Sequence, residues 1–483
     1  MAMERMRVVF YGINGQGLGH LSRLLHIGRA LRELAQALSL PTDISFLTSS
    51  EAPQIAWDFP VYKIPSKTVL QAHSGDVSAA KAHNRFFISN LLGTLRPHQV
   101  VMDTLPQGSW GEFTHFRDYC RQRVFVNRTI DPNQAEDPIR ASHLALYDLI
   151  LCPDLADAAH RYPLPPELSR AFTGAIHGYQ PSQAWGREYA RQALGVRPEE
   201  KLIYLSAGGG GDPEAVRQLQ ALIDTLSPLP QVKLLVAYGP LYRGPITYGP
   251  QVIAYQAAEV VRYFAGLDLA FSATGYNSYH ELRAAGVPTA FFAQPKGMDR
   301  QDMRLAQGLA EGWCLHLESF DAAHIMDHYH TLLAKVPSPP PYQNGASRAA
   351  GHLLRLYAKL PGQQPLKERV PLAVLLHDLW QAEPQGTTAS FGEVAAWALA
   401  WAAQSPWALE EQQEQAHAAW RTGTWPATLL PTAQAWLAAG KALVRLRHQA
   451  TDIPEGRFRK LMARWAAQEI PLASLGPADL FGP

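Results

Sequence analysis

The chain has 483 residues, too many for one ordinary hydrophobic core, and this length fits two or three domains. Hydrophobic residues make up 47% of the chain and charged residues 18%, a balance that is typical of globular proteins and not of disordered ones. The formal net charge is +1, so no overall field favours nucleic acid as a partner. No run of about 18 apolar residues occurs, so we expect no membrane-spanning helix.

The cysteines and the start of the chain indicate a compartment. Cys120, Cys152 and Cys314 lie far apart and form no CxxC pair. This is typical of buried thiols in a reducing compartment, and not of a disulfide framework or a metal site. The first residues enter a strand pattern almost at once and lack the shape of a signal peptide. The sequence therefore predicts a cytoplasmic protein.

Short apolar runs alternate with amphipathic helical stretches through about the first 330 residues. In the first half, strands are predicted at 7–13, 44–48, 99–103, 124–127 and 149–152, and helices at 20–38, 80–95 and 112–121. In the second half, strands are predicted at 202–206, 233–237, 252–255, 267–271 and 289–292, and helices at 213–226, 275–285 and 300–311. This alternation predicts βαβ units with parallel sheets.

Two α/β domains follow from this pattern. We predict an N-terminal Rossmann-like domain at 1–180 and a C-terminal one at 181–362, joined by a proline- and glycine-rich connection at 162–183. Residues 363–483 hold eight of the twelve tryptophans, are rich in Ala, Leu and Gln, and show no strand pattern. They are predicted to form a small all-helical extension.

The first motif, Gly12-Ile-Asn-Gly15-Gln-Gly17-Leu-Gly19-His20, directly follows the first predicted strand and opens a helix. Glycines let the backbone approach a ligand closely, and a helix N-terminus favours an anion. The dinucleotide pattern GxGxxG does not fit, because its third glycine would fall on His20, and the strand at 44–48 leads into Thr-Ser-Ser and not to a ribose-binding acid. NAD is therefore disfavoured. His20 stands where a base would reach a substrate in the cleft; a tight turn with a surface histidine is the alternative.

Two further motifs follow strands of the second series. Four consecutive glycines at 208–211 can form a backbone nest for a phosphate or a sugar, although a flexible loop is the alternative. The stretch 272–282, SATGYNSYHEL, again follows a strand and opens a helix, so residues 274–278 can present amide N–H groups and hydroxyls to a diphosphate. Glu281 lies in the second turn, where it can accept both hydroxyls of a ribose or, alternatively, complement the helix dipole.

A fourth motif, Asp299-Arg300-Gln301, opens the next predicted helix, and its polar side chains can bind hydroxyls of a sugar. The chain contains no DxD and no cluster of His and Cys ligands, so no metal site is predicted. A diphosphate would then be held by helix N-termini and backbone amides.

These four motifs, in this order, resemble those of the GT-B glycosyltransferases, which include the lipid-linked GlcNAc transferase of peptidoglycan synthesis and the UDP-glycosyltransferases. That family has a glycine loop ending in Gly-His, a second glycine-rich loop, a Ser-Gly-x-x-T-x-x-E stretch and an Asp-(Arg)-Gln segment, matched here by Gly19-His20, 208–211, 274–281 and 299–301. The local text GHLSR at 19–23 and DTLPQG at 103–108 is most similar to a bacterial group known as predicted glycosyltransferases. The resemblance covers about residues 5–360 and implies an α/β protein of the GT-B fold, with two Rossmann-like domains facing a cleft.

The resemblance also implies an activity: an inverting, metal-independent transfer of a sugar from a UDP-sugar to an acceptor hydroxyl, with the UDP-sugar as co-substrate and no other cofactor. His20 would be the base, and Asp103 is the candidate to orient it; Glu112 is a second candidate, and helix capping is the alternative role for Asp103. In the donor site, 274–278 would hold the diphosphate, Glu281 the ribose, 255–256 the uracil, and Asp299 and Gln301 the sugar hydroxyls. The implied donor-binding residues are Gly17, Gly19, Gly208, Gly209, Gly210, Tyr255, Gln256, Thr274, Gly275, Asn277, Ser278, Glu281, Asp299, Arg300 and Gln301.

Several points stay open at this stage. Gln301-Asp302 stands where the peptidoglycan enzyme has two glutamines, so the sugar can differ from GlcNAc, and neither the acceptor, a lipid or a small metabolite, nor the oligomeric state is indicated. Two other functions remain: a GT-B-fold sugar-nucleotide epimerase and a non-catalytic nucleotide-sugar-binding protein. The stretch 457–465 has an apolar helix face and several basic residues, which fits peripheral contact with the inner face of the membrane or packing within the extension.

Overall fold

The computed structural model describes residues 4–14, 17–73, 77–103, 105–130, 137–209, 214–239, 241–242, 247–257, 260–294, 299–341, 343–363, 366–382 and 390–402, with a few positions between 433 and 444. Two parallel β-sheets, one of seven strands and one of six, organise this part of the chain. α-Helices or 3-10 helices connect most of the successive strands, as is usual between parallel strands.

The first sheet has the strand order β3-β2-β1-β4-β5-β6-β7. Its strands are β1 (Met6–Gly12), β2 (Thr42–Thr48), β3 (Val61–Lys63), β4 (Gln99–Asp103), β5 (Gln122–Val126), β6 (Leu149–Cys152) and β7 (Arg170–Phe172). The helices along this half are α1 (Gly19–Ala37), α2 (Lys67–His73), α3 (Val77–Leu95), α4 (Phe113–Phe116) and α5 (Pro138–Leu144). Short 3-10 helices occupy Pro53–Ala56, Arg117–Tyr119 and Ala156–Arg161.

The second sheet has the order β10-β9-β8-β11-β12-β13. Its strands are β8 (Lys201–Ser206), β9 (Val232–Ala237), β10 (Val252–Tyr255), β11 (Leu269–Ala273), β12 (Thr289–Phe292) and β13 (Cys314–His316). The helices here are α6 (Arg187–Ala193), α7 (Glu214–Leu226), α8 (Tyr276–Ala284), α9 (Gln301–Ala310) and α10 (Ala322–Leu333), with a 3-10 helix at Val260–Gly266. Three further helices follow: α11 (Gly345–Tyr357), α12 (Leu366–Ala382) and α13 (Phe391–Ala402).

The register of the central strands positions the loops that matter for function. Strands β4 and β11 are buried throughout, because both faces of each sheet are covered. β1 lies between β2 and β4, and its last residue, Gly12, stands beside Asp103, the last residue of β4. The start of α1 and the end of β4 therefore meet at one edge of the sheet, where ligands bind in open α/β folds.

The last helices complete the first half of the molecule. Buried apolar residues of α11, α12 and α13 belong to one continuous core with α1 and the first sheet. Leu353, Leu376 and Val394 are examples, one from each of the three helices. The extension is thus helical where it is described, but it packs as a layer on α1. The domain boundaries predicted from the sequence stay a prediction, and the stretch 457–465 lies outside the described residues.

The structure differs from the predicted elements at the sheet edges and in several helices, because α2, α5, α6 and α10 have no counterpart among the predicted helices. The three-residue strands β3, β7 and β13 were missed, and β7 falls inside the predicted connection at 162–183, where it forms the outer strand of the first sheet. The helix predicted at 112–121 is shorter, and consists of α4 followed by a 3-10 helix. Among the residues described, no helix has the length and apolar character needed to cross a membrane.

Candidate active site

A cavity of about 1360 Å³ lies between the carboxyl ends of the two sheets. The loops after β1 and β8 and the start of α8 line it, together with the cleft-facing side of α1. The strand ends therefore bring together the two glycine motifs and the SATGYNSYHEL motif, as the sequence predicted for residues that follow successive strands.

His20 lines the cavity at the first turn of α1, with Asp103 behind it. The Nδ1 atom of His20 lies 2.9 Å from Oδ1 of Asp103, whose side chain is fully buried. An ionised carboxylate only accepts hydrogen bonds, so Nδ1 must carry the hydrogen and Nε2 keeps its lone pair. The geometry thus leaves Nε2 as the nitrogen that can take a proton.

Electrostatics keep this pair in the state that a base requires. Burial lowers the pKa of His20, Arg128 and Arg23 lower it further, and the nearby Asp103 opposes them, with a net decrease. Burial by itself would raise the pKa of Asp103, but the charges of Arg23 and His20 and the hydrogen bonds from them hold it well below its usual range. At neutral pH the imidazole is therefore neutral and the carboxylate ionised.

Glu112, the other candidate partner for His20, is engaged elsewhere. Its carboxylate accepts hydrogen bonds from the Tyr11 hydroxyl at 2.5 Å and from the backbone N–H groups of Ser109 and Trp110 at 3.1 and 2.7 Å. These contacts stabilise the loop after β4. Of the two candidates, Asp103 contacts the imidazole of His20 and Glu112 does not.

The glycine loops of the two halves approach each other across the cavity. Gly17, Gly19, Gly208 and Gly209 all line it, and a Cβ at Gly209 would lie 3.8 Å from the backbone nitrogen of Leu18. The loop after β9 fits against the same place only because Gly239 has no side chain: a Cβ there would lie 2.6 Å from the backbone of Gly209. Gly210 lies outside the described residues.

The N-terminus of α8 points into the cavity. Gly275 caps the helix without a side-chain hydrogen bond, and Tyr276, Asn277 and Ser278 line the cavity beside it. The first amides of a helix have no partner within it, so this end attracts an anion. Thr274 corrects the sequence expectation: its amide and its hydroxyl both donate to the carbonyl of Phe292, at 3.0 and 2.9 Å, and the side chain is buried away from the cavity.

Glu281 reaches the cavity from the second turn of α8. Its Oε1 accepts a hydrogen bond from the backbone N–H of Gly178 at 3.0 Å. Burial raises the pKa of Glu281 to about 7, and the Gly178 bond only partly offsets this. The carboxyl therefore changes its protonation state close to neutral pH.

Asp299 lies in an ion-pair cluster that crosses the cleft. Its carboxylate contacts Arg128, from the loop after β5, at 2.9 Å and Arg304, from α9, at 2.8 Å. These charges overcome the effect of burial and lower the pKa of Asp299. Asp299 lines the cavity, but both of its oxygens are already paired with guanidinium groups.

The two residues after Asp299 differ in whether they line the cavity. Gln301 lines the cavity, and its Oε1 accepts from the backbone N–H of Gln294 at 2.9 Å, which fixes the loop after β12. Arg300 forms an ion pair with Asp302 at 2.8 Å and does not line the cavity. Its expected contact with a donor is therefore corrected, because its side chain turns towards Asp302.

Tyr255 and Gln256, at the end of β10, both line the cavity, as expected for residues that border a base. Within the described residues, no group of three His, Cys, Asp or Glu side chains has a metal-binding arrangement. The residues that sequence reasoning missed are Arg23, Arg128 and Arg304. Arg23 and Arg128 pair with aspartates that are 80 and 171 residues away, which no local pattern indicates, whereas Arg304 pairs with Asp299, five residues before it.

Comparison with known proteins places the fold. No family model matches the chain, and no curated protein matches it. Among solved structures, the spinosyn forosaminyltransferase SpnP has a TM-score of 0.50 at 14% identity, covering 77% of this chain and 100% of that chain. The UGT2 of Phytolacca americana complexed with UDP-2fluoro-glucose and pterostilbene has a TM-score of 0.49 at 14% identity, covering 73% and 100%.

A candidate UDP-N-acetylglucosamine 2-epimerase from Listeria monocytogenes has a TM-score of 0.49 at 11% identity, covering 74% of this chain and 96% of that chain. At such identities the likeness concerns the fold alone. Together with the two parallel sheets that face one cavity, it confirms the predicted α/β architecture of the GT-B type. The chemistry has to be argued from the site itself.

Proposed function

We propose that this protein is a glycosyltransferase that moves a sugar from a UDP-sugar to the hydroxyl of an acceptor, with inversion at the anomeric carbon. One observation carries the proposal: the His20–Asp103 pair and the N-terminus of α8 face the same cavity from opposite halves of the molecule. A base for the acceptor and a site for the leaving diphosphate are thus within one cleft.

The donor would lie mainly on the second half. The amides at the start of α8 would hold the diphosphate, the glycine loop after β8 would approach it closely, and Glu281 would accept the ribose hydroxyls. Tyr255 and Gln256 would border the uracil. The cavity exceeds the usual size of small-molecule sites, roughly 300–1,000 Å³, which leaves space for donor and acceptor together.

The chemical step would proceed without a covalent intermediate. The acceptor oxygen attacks the anomeric carbon while its proton passes to Nε2 of His20, and the bond from that carbon to the diphosphate oxygen breaks. UDP leaves with the electron pair of that bond, and the amides at the start of α8 stabilise the new charge. Asp103 stabilises the imidazolium that forms. General-base help of this kind contributes about 10²–10⁴-fold to the rate.

A ligand screen followed by a transfer assay tests this proposal. UDP should raise the melting temperature. At a UDP concentration one hundred times the dissociation constant, the free energy of unfolding should increase by about 2.7 kcal/mol. Thymidine diphosphate, ADP and NAD are the comparison ligands. A shift with ADP or NAD and none with UDP contradicts the proposed donor.

Acceptor screening with the UDP-sugar that binds best then separates the functions. Transfer to a hydroxyl with inversion supports the proposal. Conversion of the sugar nucleotide without any acceptor identifies an epimerase, and binding without turnover identifies a non-catalytic binder. Because the proposed diphosphate site consists of backbone amides at the start of α8, transfer should persist in EDTA; loss on chelation that manganese or magnesium restores would contradict this site.

A further inference from the structure

Arg23 is a charged residue in the middle of the candidate site that the reaction described above does not use. It lies on α1 one turn after His20, and its side chain is 1% exposed. Its Nε donates to Oδ2 of Asp103 at 2.8 Å, and a terminal nitrogen donates to Oδ1 at 3.2 Å. Burying a guanidinium is costly unless its hydrogen bonds are made, so its position depends on this two-point contact.

The contact determines how the carboxylate faces the imidazole. Oδ1 of Asp103 is shared between Arg23 and Nδ1 of His20, while Oδ2 belongs to Arg23. With both oxygens bound, the carboxylate cannot rotate away from His20. Its fixed Oδ1 then selects the imidazole tautomer with hydrogen on Nδ1, which leaves Nε2 as the proton acceptor.

Arg23 also acts on the charge of the imidazole. Its terminal nitrogen lies 3.2 Å from Nδ1 of His20, so the positive charge of the guanidinium opposes a second proton on the ring. The charged groups that face His20 are Arg23 from α1, Asp103 from β4 and Arg128 from the loop after β5. Arg23 and Arg128 both act with burial to lower the pKa of His20, and Asp103 acts against them.

Tyr276, the first residue of α8, holds Arg23 from the other side. The guanidinium carbon lies 4.8 Å from the centre of the Tyr276 ring, a cation–π distance. The Tyr276 hydroxyl accepts from the N–H of Ile176 at 3.0 Å and donates to the carbonyl of Pro153 at 3.2 Å. Arg23 is therefore enclosed between a carboxylate and a fixed aromatic ring.

We propose that Arg23 is a positioning residue for sugar transfer: it locks the Asp103 carboxylate onto His20 and keeps the imidazole neutral, with its hydrogen on Nδ1, before the acceptor arrives. This inference rests on the proposed function, because it takes His20 to be the base. It assigns a role to a residue that need not touch either substrate.

The test compares Arg23→Gln, which removes the charge, with Arg23→Lys, which keeps a charge but cannot bind both oxygens in the same way. Arg123→Gln is the matched control, because Arg123 forms the same two-point contact with Asp148, both N–O distances 2.9 Å, away from the cavity. Two quantities are measured for each: the steady-state kinetics, as kcat and KM over a range of pH, and the titration of the His20 Cε1 proton by NMR.

Arg23→Gln should lower kcat by about 10–100-fold, the usual effect of losing an orienting partner, with little change in the KM of the donor. In this variant, the acid limb of the kcat/KM profile and the titration of His20 should both move to higher pH, because the positive charge beside the imidazole has been removed. Arg23→Lys should keep the titration close to wild type while kcat stays below wild type. Arg123→Gln should change neither quantity.

An unchanged His20 titration in Arg23→Gln overturns the proposal, and so does wild-type kcat in Arg23→Lys. If Arg23→Gln does not fold, the NMR titration of the wild-type protein still tests the proposal. A pKa of His20 at or above its ordinary value of 6.5 contradicts it. Absence of transfer with every donor would refute the proposed function alone, because the NMR titration tests Arg23 without turnover.

Discussion

At the scale of single residues, His20 and the residues proposed to bind the donor lie on different halves of the molecule. We expect His20→Ala to leave folding and UDP binding nearly unchanged, because Glu281 and the start of α8 are intact. Turnover should fall by about 10²-fold or more, as for a lost general base. Steady-state kinetics and calorimetric titration with UDP measure the two effects. Near-normal turnover in this variant would remove His20 from the mechanism.

Asp103→Asn should behave differently from His20→Ala, because Asp103 also neutralises Arg23. The amide leaves the fully buried Arg23 without a counter-charge, and breaking a buried ion pair costs about 3–5 kcal/mol of unfolding free energy. His20→Ala keeps the Arg23–Asp103 pair and is the control. Urea denaturation of both variants gives the comparison, and equal stabilities would mean that this ion pair contributes nothing to the fold.

Glu281 should make donor binding depend on pH. Its pKa is raised from 4.5 to about 7, so between these values the folded protein holds a proton that the unfolded chain has released. Its contribution to stability therefore decreases as pH rises from 4.5 to 7, and it is constant above that. Only the ionised carboxylate accepts two ribose hydroxyls, so the affinity for a UDP-sugar should increase through pH 7. Binding titrations with the UDP-sugar at pH 6 and pH 8 should show this increase in the wild type and not in Glu281→Gln. An equal change of affinity with pH in both proteins would remove Glu281 from the ribose site.

At the scale of elements, the start of α8 is the proposed anion site, and Asn277→Asp tests it. The Oδ1 atom of Asn277 is buried without a hydrogen-bond partner among the described residues, so the change removes no bond to that atom. An acid in the first turn complements the helix dipole, so the melting temperature should not fall. UDP affinity should drop about tenfold through repulsion of the diphosphate, which corresponds to about 1.4 kcal/mol. Asn90→Asp, at an exposed position on α3, carries the same charge change as a control; equal losses in both would exclude the helix terminus as the site.

The elements also show what the sequence could and could not predict. The long central strands are close to their predicted bounds, because a fully buried strand appears in the sequence as a continuous apolar run. The helix α1 is also close to its predicted bounds. The strands β3, β7 and β13 have three residues each, too short for a periodic signal. In the site, the glycine loops could be predicted because they directly follow strands, and His20 and Glu281 because they lie in the first two turns of the helices after strands. Arg23 and Arg128 could not, because their aspartates are 80 and 171 residues away in the chain.

At the scale of the whole molecule, α1 joins the site to the extension. Its first turn carries His20, its buried side contacts the core formed with α11, α12 and α13, and its Glu33 lines the cavity. Nε2 of His377, on α12, lies 2.7 Å from Oε2 of Glu33. Gln381, also on α12, donates its Nε2 hydrogen to the same Oε2 at 3.3 Å, so the extension reaches the wall of the cavity through polar contacts as well as through the core that it shares with α1.

Removing apolar contact between the extension and α1 should consequently destabilise the first half of the molecule. Leu376 of α12 is 0% exposed within the core that includes α1, so Leu376→Ala should lower the free energy of unfolding by about 2–5 kcal/mol. Leu333→Ala, at the end of α10, removes the same atoms from a side chain that is 37% exposed and should cost much less. Chemical denaturation followed by circular dichroism measures both. Equal losses would mean that α12 does not share a cooperative core with α1, and that the extension is a separate unit lying on the first half of the molecule.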